Sequence, residues 1–144
     1  MFRMDMSVVP VMSATNLEEY AAYYLDRIPH DENAAFALAE APDAIVPMLN
    51  SAFRSEPDAT KRSAILKIIW QRRDPSTITV LGKGLRDASP GVWKEALDGL
   101  VTIGGPESIS AIEAANRRSF DSERDREQFR EFIEEALDQL RSDK

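Results

Sequence analysis

The sequence predicts an all-α fold, a right-handed α-solenoid of three to four stacked helical hairpins and about eight helices. Two observations carry this expectation. The phrase P-x-x-I-x-x-apolar occurs three times, and apolar residues elsewhere recur at i, i+3, i+4 and i+7, the period of an amphipathic helix.

The three copies are Pro42 to Met48, Pro75 to Leu81 and Pro106 to Ile112, separated by 33 and 31 residues. That period belongs to two-helix repeats and is too long for leucine-rich ones. Each proline suits the first turn of a helix, where its fixed φ helps and its missing N–H would have no partner anyway. Ile at +3 and the apolar residue at +6 then share one face. Six residues before each proline stand Phe36, Ile69 and Leu100, a fourth apolar column. Ahead of each proline lies a second helical stretch, around Ala35–Ala39, Ile65–Ile69 and Val92–Ile103. One such hairpin cannot bury its own apolar face, whereas stacked neighbours can.

The ends read as caps. Thr15-Asn16-Leu17-Glu18 has capping-box spacing, followed by apolar or aromatic residues at 17, 20, 24 and 28. Near the C-terminus Phe129, Phe132, Ile133, Ala136, Leu137 and Leu140 form one stripe with a charged opposite face, as a terminal helix needs for solubility. The expected organisation is an N-terminal arm over residues 1–14 and one domain over 15–144. Within it lie a capping helix at about 15–28, repeats at about 31–55, 58–87 and 90–118, and a C-terminal capping helix at about 122–142.

The third copy, from Leu85-Arg86-Asp87 through Pro90, Val92-Trp93-Lys94, Ala96-Leu97, Leu100, Ile103-Gly104 and Ile109 to Ile112, closely resembles the HEAT repeat in the short form shared with phycobilisome-lyase-type proteins. The second copy matches with one extra residue in the turn Arg72-Arg73-Asp74, and the first lacks both the Asp and the Val. The resemblance, over roughly residues 31–118, implies roles for particular positions. Asp87 caps and ties the inter-repeat loop, Val92 and Ala96 pack inward, and Gly104 ends the first helix. Where the family has an Arg that pairs across repeats, this copy has Trp93. The resemblance also implies a scaffold for protein recognition rather than a reaction.

Composition narrows the function classes. No cysteine is present, so a disulfide framework, a thiolate zinc site and a cysteine nucleophile are all excluded. The single histidine, His30, leaves little room for metal or triad chemistry. His30-Asp31-Glu32 precedes a helix, where acidic residues favour the N-terminal dipole, and reads as capping. The repeated His-Glu pairs of di-iron HEAT-like hydroxylases have no counterpart. Gly82-x-Gly84 and Gly104-Gly105 lack the preceding strand of a phosphate-cradling loop. No catalytic residue, metal site or cofactor is expected.

The net charge is −7, opposite in sign to a protein that relies on phosphate neutralisation, which argues against nucleic acid as partner. It is unevenly spread: −7 over residues 17–58, +4 over 59–118 and −4 over 121–144. No apolar run approaches the length of a membrane span, and the opening segment is too short and proline-broken for a signal-peptide core. The expected location is therefore the cytoplasm.

Arg54, Arg86 and Arg117 lie 12, 11 and 11 residues after the repeat prolines, with Lys83 and Arg118 close by. Stacked repeats would align them as a basic ridge at the ends of the second helices, either a docking site for an acidic partner or cations offsetting the helix dipoles. Of the two tryptophans, Trp70 follows Ile65, Ile68 and Ile69 and reads as core. Trp93 stands where the family has a polar residue and is the exposed interface candidate. The partner-binding candidates are thus Arg54, Lys83, Arg86, Trp93, Arg117 and Arg118.

These readings converge on a non-catalytic protein-interaction module, monomeric or weakly dimeric. It would be an adaptor or an immunity-type inhibitor that covers a toxin or another enzyme, since an acidic surface steers quickly onto a basic one. Two alternatives are kept: a lyase-like or chaperone-like protein handling a prosthetic group, for which Tyr20, Tyr23 and Tyr24 are bunched near one end, and a HEAT-like DNA-repair protein, for which the basic middle is the only support.

Overall fold

A computed structural model of the chain describes residues 14–142; apart from Ala14, the arm assigned to residues 1–14 lies outside them. Among the described residues there are eight α-helices and no strand. They are α1 (Ala14–Leu25), α2 (Glu32–Glu40), α3 (Val46–Ser55), α4 (Ala59–Gln71), α5 (Ile78–Gly84), α6 (Pro90–Ile103), α7 (Gly105–Ala115) and α8 (Glu123–Ser142).

Short polar residues start the helices by accepting from orphan N–H groups in the first turn. Asp31 accepts from the Asn33 N–H at 2.9 Å and Asp58 from the Lys61 N–H at 3.0 Å. The repeat prolines do more than sit at a first helical position. Pro42 immediately precedes, and Pro75 opens, a single 3₁₀ turn (Asp43–Ile45, Pro75–Thr77) that runs on into α3 or α5. Pro106 is the second residue of α7. A 3₁₀ turn at a helix start tightens the corner between the two helices of a hairpin. The third hairpin turns differently: Gly104 has φ 70° and ψ −171°, a region open essentially to glycine alone, and its N–H closes α6 on the Leu100 carbonyl at 2.9 Å.

The helices form two layers. In the first, α2, α4, α6 and α8 lie side by side, with α4 against α6 the most extensive contact; in the second, α3, α5 and α7 pack behind them. α1 covers α2 and α3 at one end, and α8 closes the other by packing on both α6 and α7. The core runs between the layers through Leu38, Ile45, Leu49, Leu66, Ile69, Leu81, Val92, Leu100 and Ile112, all under 1% exposed. Ile133 and Phe129 extend it into α8.

One apolar column breaks. Ile69 and Leu100 are fully buried, but Phe36, six residues before its own proline, is 68% exposed. The reason is turn length. A single residue, Ala41, separates α2 from Pro42, whereas Arg72-Arg73-Asp74 separates α4 from Pro75. Counted from the helix ends, Leu38 is the match of Ile69, and Phe36 is the match of exposed Lys67.

Arg72 and Arg118 tie their repeats to the one before, and Arg62 links the loop ahead of α4 to the loop ahead of α6. Arg62 on α4 donates through Nε and Nη2 to both oxygens of Asp87, at 2.9 and 3.1 Å, and through Nη1 to the Glu56 and Pro57 carbonyls. Asp87 also accepts from the Ser89 N–H at 2.9 Å, so it caps and ties the inter-repeat loop as the resemblance implies. Arg72 reaches back to the Leu38 and Ala39 carbonyls at 3.1 and 2.9 Å. Arg118 does the same for Leu85 and Asp87 at 2.6 and 3.0 Å. Each guanidinium donates to carbonyls in the last turn of a helix or in the loop just beyond it.

Candidate partner-binding surface

The expected exposure of one sequence candidate, Trp93, is corrected by the packing, and a second, Arg118, is engaged within the fold. Trp93 is 2% exposed, not an exposed anchor. It occupies on α6 the position that Arg62 holds on α4, so the pairing arginine of the family is present one repeat earlier and gives way to an aromatic contact at the cap. Trp93 meets Phe129 edge-on with ring centroids 4.9 Å apart and Phe132 at 5.5 Å. A cation there would have faced the aromatic stripe of α8, where an indole packs and a guanidinium would be left short of acceptors. Arg118 is half-buried, with its guanidinium committed to the two carbonyls and stacked 4.3 Å from the Phe120 ring centroid. Burial lowers its pKa from the ordinary arginine value.

Arg54, Lys83, Arg86 and Arg117 are exposed and make no ion pair among the described residues. Arg54 and Lys83 occupy the last turns of α3 and α5, while Arg86 and Arg117 follow the ends of α5 and α7. All four stand where a cation offsets the negative end of the helix dipole.

Two concave, apolar features lie instead on the first layer. Between α2 and α4 runs a groove of about 670 Å³. Its floor is built from Ile28, Ala35, Ala39, Ala64 and Ile68, Phe36 stands in it, and Glu32, Glu40 and Lys67 rim it. A second groove, of about 410 Å³, is lined by Trp70, by α6 around Asp98 and by α8 around Phe132 and Glu135. Trp70 thus packs against the core as expected but is only partly buried, with part of its side chain lining the groove. Its Nε1–H donates to Glu95 Oε2 at 2.7 Å, and its indole lies directly on the backbone of α6. Gly99 makes that approach possible, because a Cβ there would stand 2.7 Å from Trp70 Cβ and Cγ. Gly99→Ala should therefore push the indole out and cost about 1–3 kcal/mol, measured by chemical denaturation; a neutral result would mean that α4 and α6 separate freely.

Sequence reasoning missed Phe36 and this groove, although the short turn at Ala41 was visible as the signal of a register change. It grouped Tyr20, Tyr23 and Tyr24 correctly in sequence, but their rings pack on one another along α1, with centroids 4.8 and 4.9 Å apart, and line neither groove. Burial, followed by the charge on Tyr24, raises the Tyr20 pKa, and the Tyr20 hydroxyl donates to the Ala37 carbonyl at 3.3 Å. Among the described residues no group of three or more His, Asp or Glu side chains is placed to hold a metal ion, and no helix is long and apolar enough to cross a membrane.

Comparison with known proteins gives one result. No curated protein and no solved structure matches the chain. A family model describing HEAT repeats matches residues 45–130, from the 3₁₀ turn before α3 into the first half of α8. The match is to HEAT repeats as such, and the narrower likeness to phycobilisome-lyase-type repeats rests on the third copy's sequence alone. With more than half of its length matched, and with its helices paired, layered and tied through Asp87 as described, the chain belongs to the HEAT repeat family.

Proposed function

We propose that this protein is a non-catalytic interaction module, an adaptor or an immunity-type inhibitor, that engages a basic partner protein through the outer face of its first helix layer. HEAT repeats in general serve as scaffolds for protein contacts rather than as catalysts, and a fold of this kind needs a site to give it a specific role. The observation that carries the reading is Phe36, a large aromatic side chain 68% exposed in an apolar groove. Aromatic side chains set in apolar concavities are the usual anchors of protein interfaces. The charge of −7 over residues 17–58, with Glu32 and Glu40 on the groove rim, favours a partner of opposite sign.

The basic ridge is the competing surface, since Arg54, Lys83, Arg86 and Arg117 are all accessible. One experiment separates the two. Tagged protein is used to capture its stoichiometric partner from native lysate, and the capture is repeated with Phe36→Asp and with the double reversal Arg86→Glu/Arg117→Glu. Phe36→Asp should weaken the isolated complex by about 10–100-fold while changing stability by less than about 1 kcal/mol, because the residue is already in water. The double reversal should leave the complex intact. Loss of the partner on the reversal, with Phe36→Asp unaffected, would move the interface to the ridge.

A further inference from the structure

We propose that the groove between α6 and α8 is a receptor for one arginine side chain of the partner, its guanidinium stacking on Trp70 between the carboxylates of Asp98 and Glu135. This rests on the reading of the first layer as the interaction face.

The groove joins the three features that a guanidinium needs. It has the volume, about 410 Å³, to enclose a side chain. It has a partly exposed indole, the best aromatic partner for a cation, with Phe132 on the opposite helix. It also has carboxylates without cations. Asp98 and Glu135 line it and make no ion pair, and the side chain of neither takes part in a hydrogen bond, among the described residues. Partial burial raises the Asp98 carboxyl above its ordinary pKa, the direction expected where an anion stands against apolar walls with no counter-charge.

The surrounding charges leave this position open. Glu95 is occupied by the Trp70 Nε1–H, which fixes the indole plane and sets a third carboxylate at its edge. Arg141 on α8 is turned away to Glu113 on α7. Lys94 lies over the ring of Phe132, 4.8 Å from its centroid, and over Trp93, and does not line the groove. Lys94 shows that the α8 aromatics of this region already hold a cation on one side. A planar guanidinium fits the remaining space better than an ammonium, because it can stack on the indole and donate to two carboxylates at once.

The test uses the whole chain, labelled with nitrogen-15, titrated with N-acetyl-arginine methylamide and, separately, with its neutral isostere N-acetyl-citrulline methylamide. The two indole N–H signals report on the site and on an internal control. The Trp70 signal should shift with saturation in the millimolar range for the arginine compound only, and the buried Trp93 signal should stay in place. Asp98→Asn should weaken this binding about tenfold, and Asp98→Asn/Glu135→Gln should abolish it, with unchanged thermal midpoints because both residues lie at the surface. Equal shifts with citrulline, no saturation at Trp70, or unaltered binding in the double variant would overturn the proposal. Failure here with partner capture still lost in Phe36→Asp would remove the arginine receptor alone; arginine binding with capture unaffected by Phe36→Asp would remove the proposed interface at α2 and α4 instead.

Discussion

Trp93→Ala should lower the stability of this protein by about 3–5 kcal/mol, the cost of emptying an aromatic-sized space in a core. Trp93 is the bridge between the repeat array and its terminal helix, touching both Phe129 and Phe132 of α8 edge-on. Phe129 is 1% exposed and also packs on Phe120, with centroids 5.1 Å apart, so the cavity would open under the whole aromatic cluster. For a domain of this size the loss corresponds to a fall of about 10–20 °C in thermal midpoint. Trp93→Phe, which keeps an edge-on ring, should lose less than half as much. The measurement also separates the two roles Trp93 could have had. An exposed anchor would lose partner binding and leave the melting curve unchanged; a buried bridge does the reverse, and an unshifted midpoint in Trp93→Ala would refute it.

Asp87→Ala should cost about 2–4 kcal/mol, since it strips the acceptor from a well-shielded guanidinium and a cap from the loop in a single change. The two side chains are only 19% and 12% exposed, so water replaces the lost bonds poorly. The hydrogen bond from Arg62 to Asp87 is also the main reason the Arg62 pKa is raised. Asp87→Asn keeps an oxygen for the Ser89 N–H but loses the charge, and should fall between Asp87→Ala and the wild type. A double-mutant cycle with Arg62→Met isolates the pair, and its coupling should reach about 1–3 kcal/mol. A coupling near zero would mean that the bond is replaced by solvent and that α4 and α6 hold together by packing alone.

Much of the architecture is legible in the chain because helical repeats write themselves periodically. The proline phrase at 42, 75 and 106 and the stripe on α8 follow from local rules, either propensity at helix ends or spacing along a face, and the resemblance to HEAT repeats adds the roles of Asp87, Val92, Ala96 and Gly104. Each needs only residues a few positions apart. The HEAT identity was therefore available from the third copy before any coordinate was known.

The surface was harder to read, because exposure is settled by what packs opposite, and the opposing residue is often a repeat or more away. Trp93 and Arg62 share a position on successive helices; one is buried only because the aromatic stripe of α8 lies across from it, while the other is paired because Asp87 is. Trp70 follows three buried isoleucines, yet it is only partly buried, lying over Gly99, twenty-nine residues later, where the absence of a Cβ lets the indole rest on the next helix. Arg118 resembled its exposed neighbour Arg117 in sequence and differs from it because the Leu85 and Asp87 carbonyls lie within its reach.

The sequence by itself determined the helices, their pairing into repeats, the family and the net charge, all properties of local periodicity or simple sums. Only the tertiary structure decided which aromatic faces water. A turn shortened to Ala41 moved Phe36 out of the core column, and the packing of α8 drew Trp93 in. Burial depends on register and contact across repeats, and a one-dimensional pattern records neither.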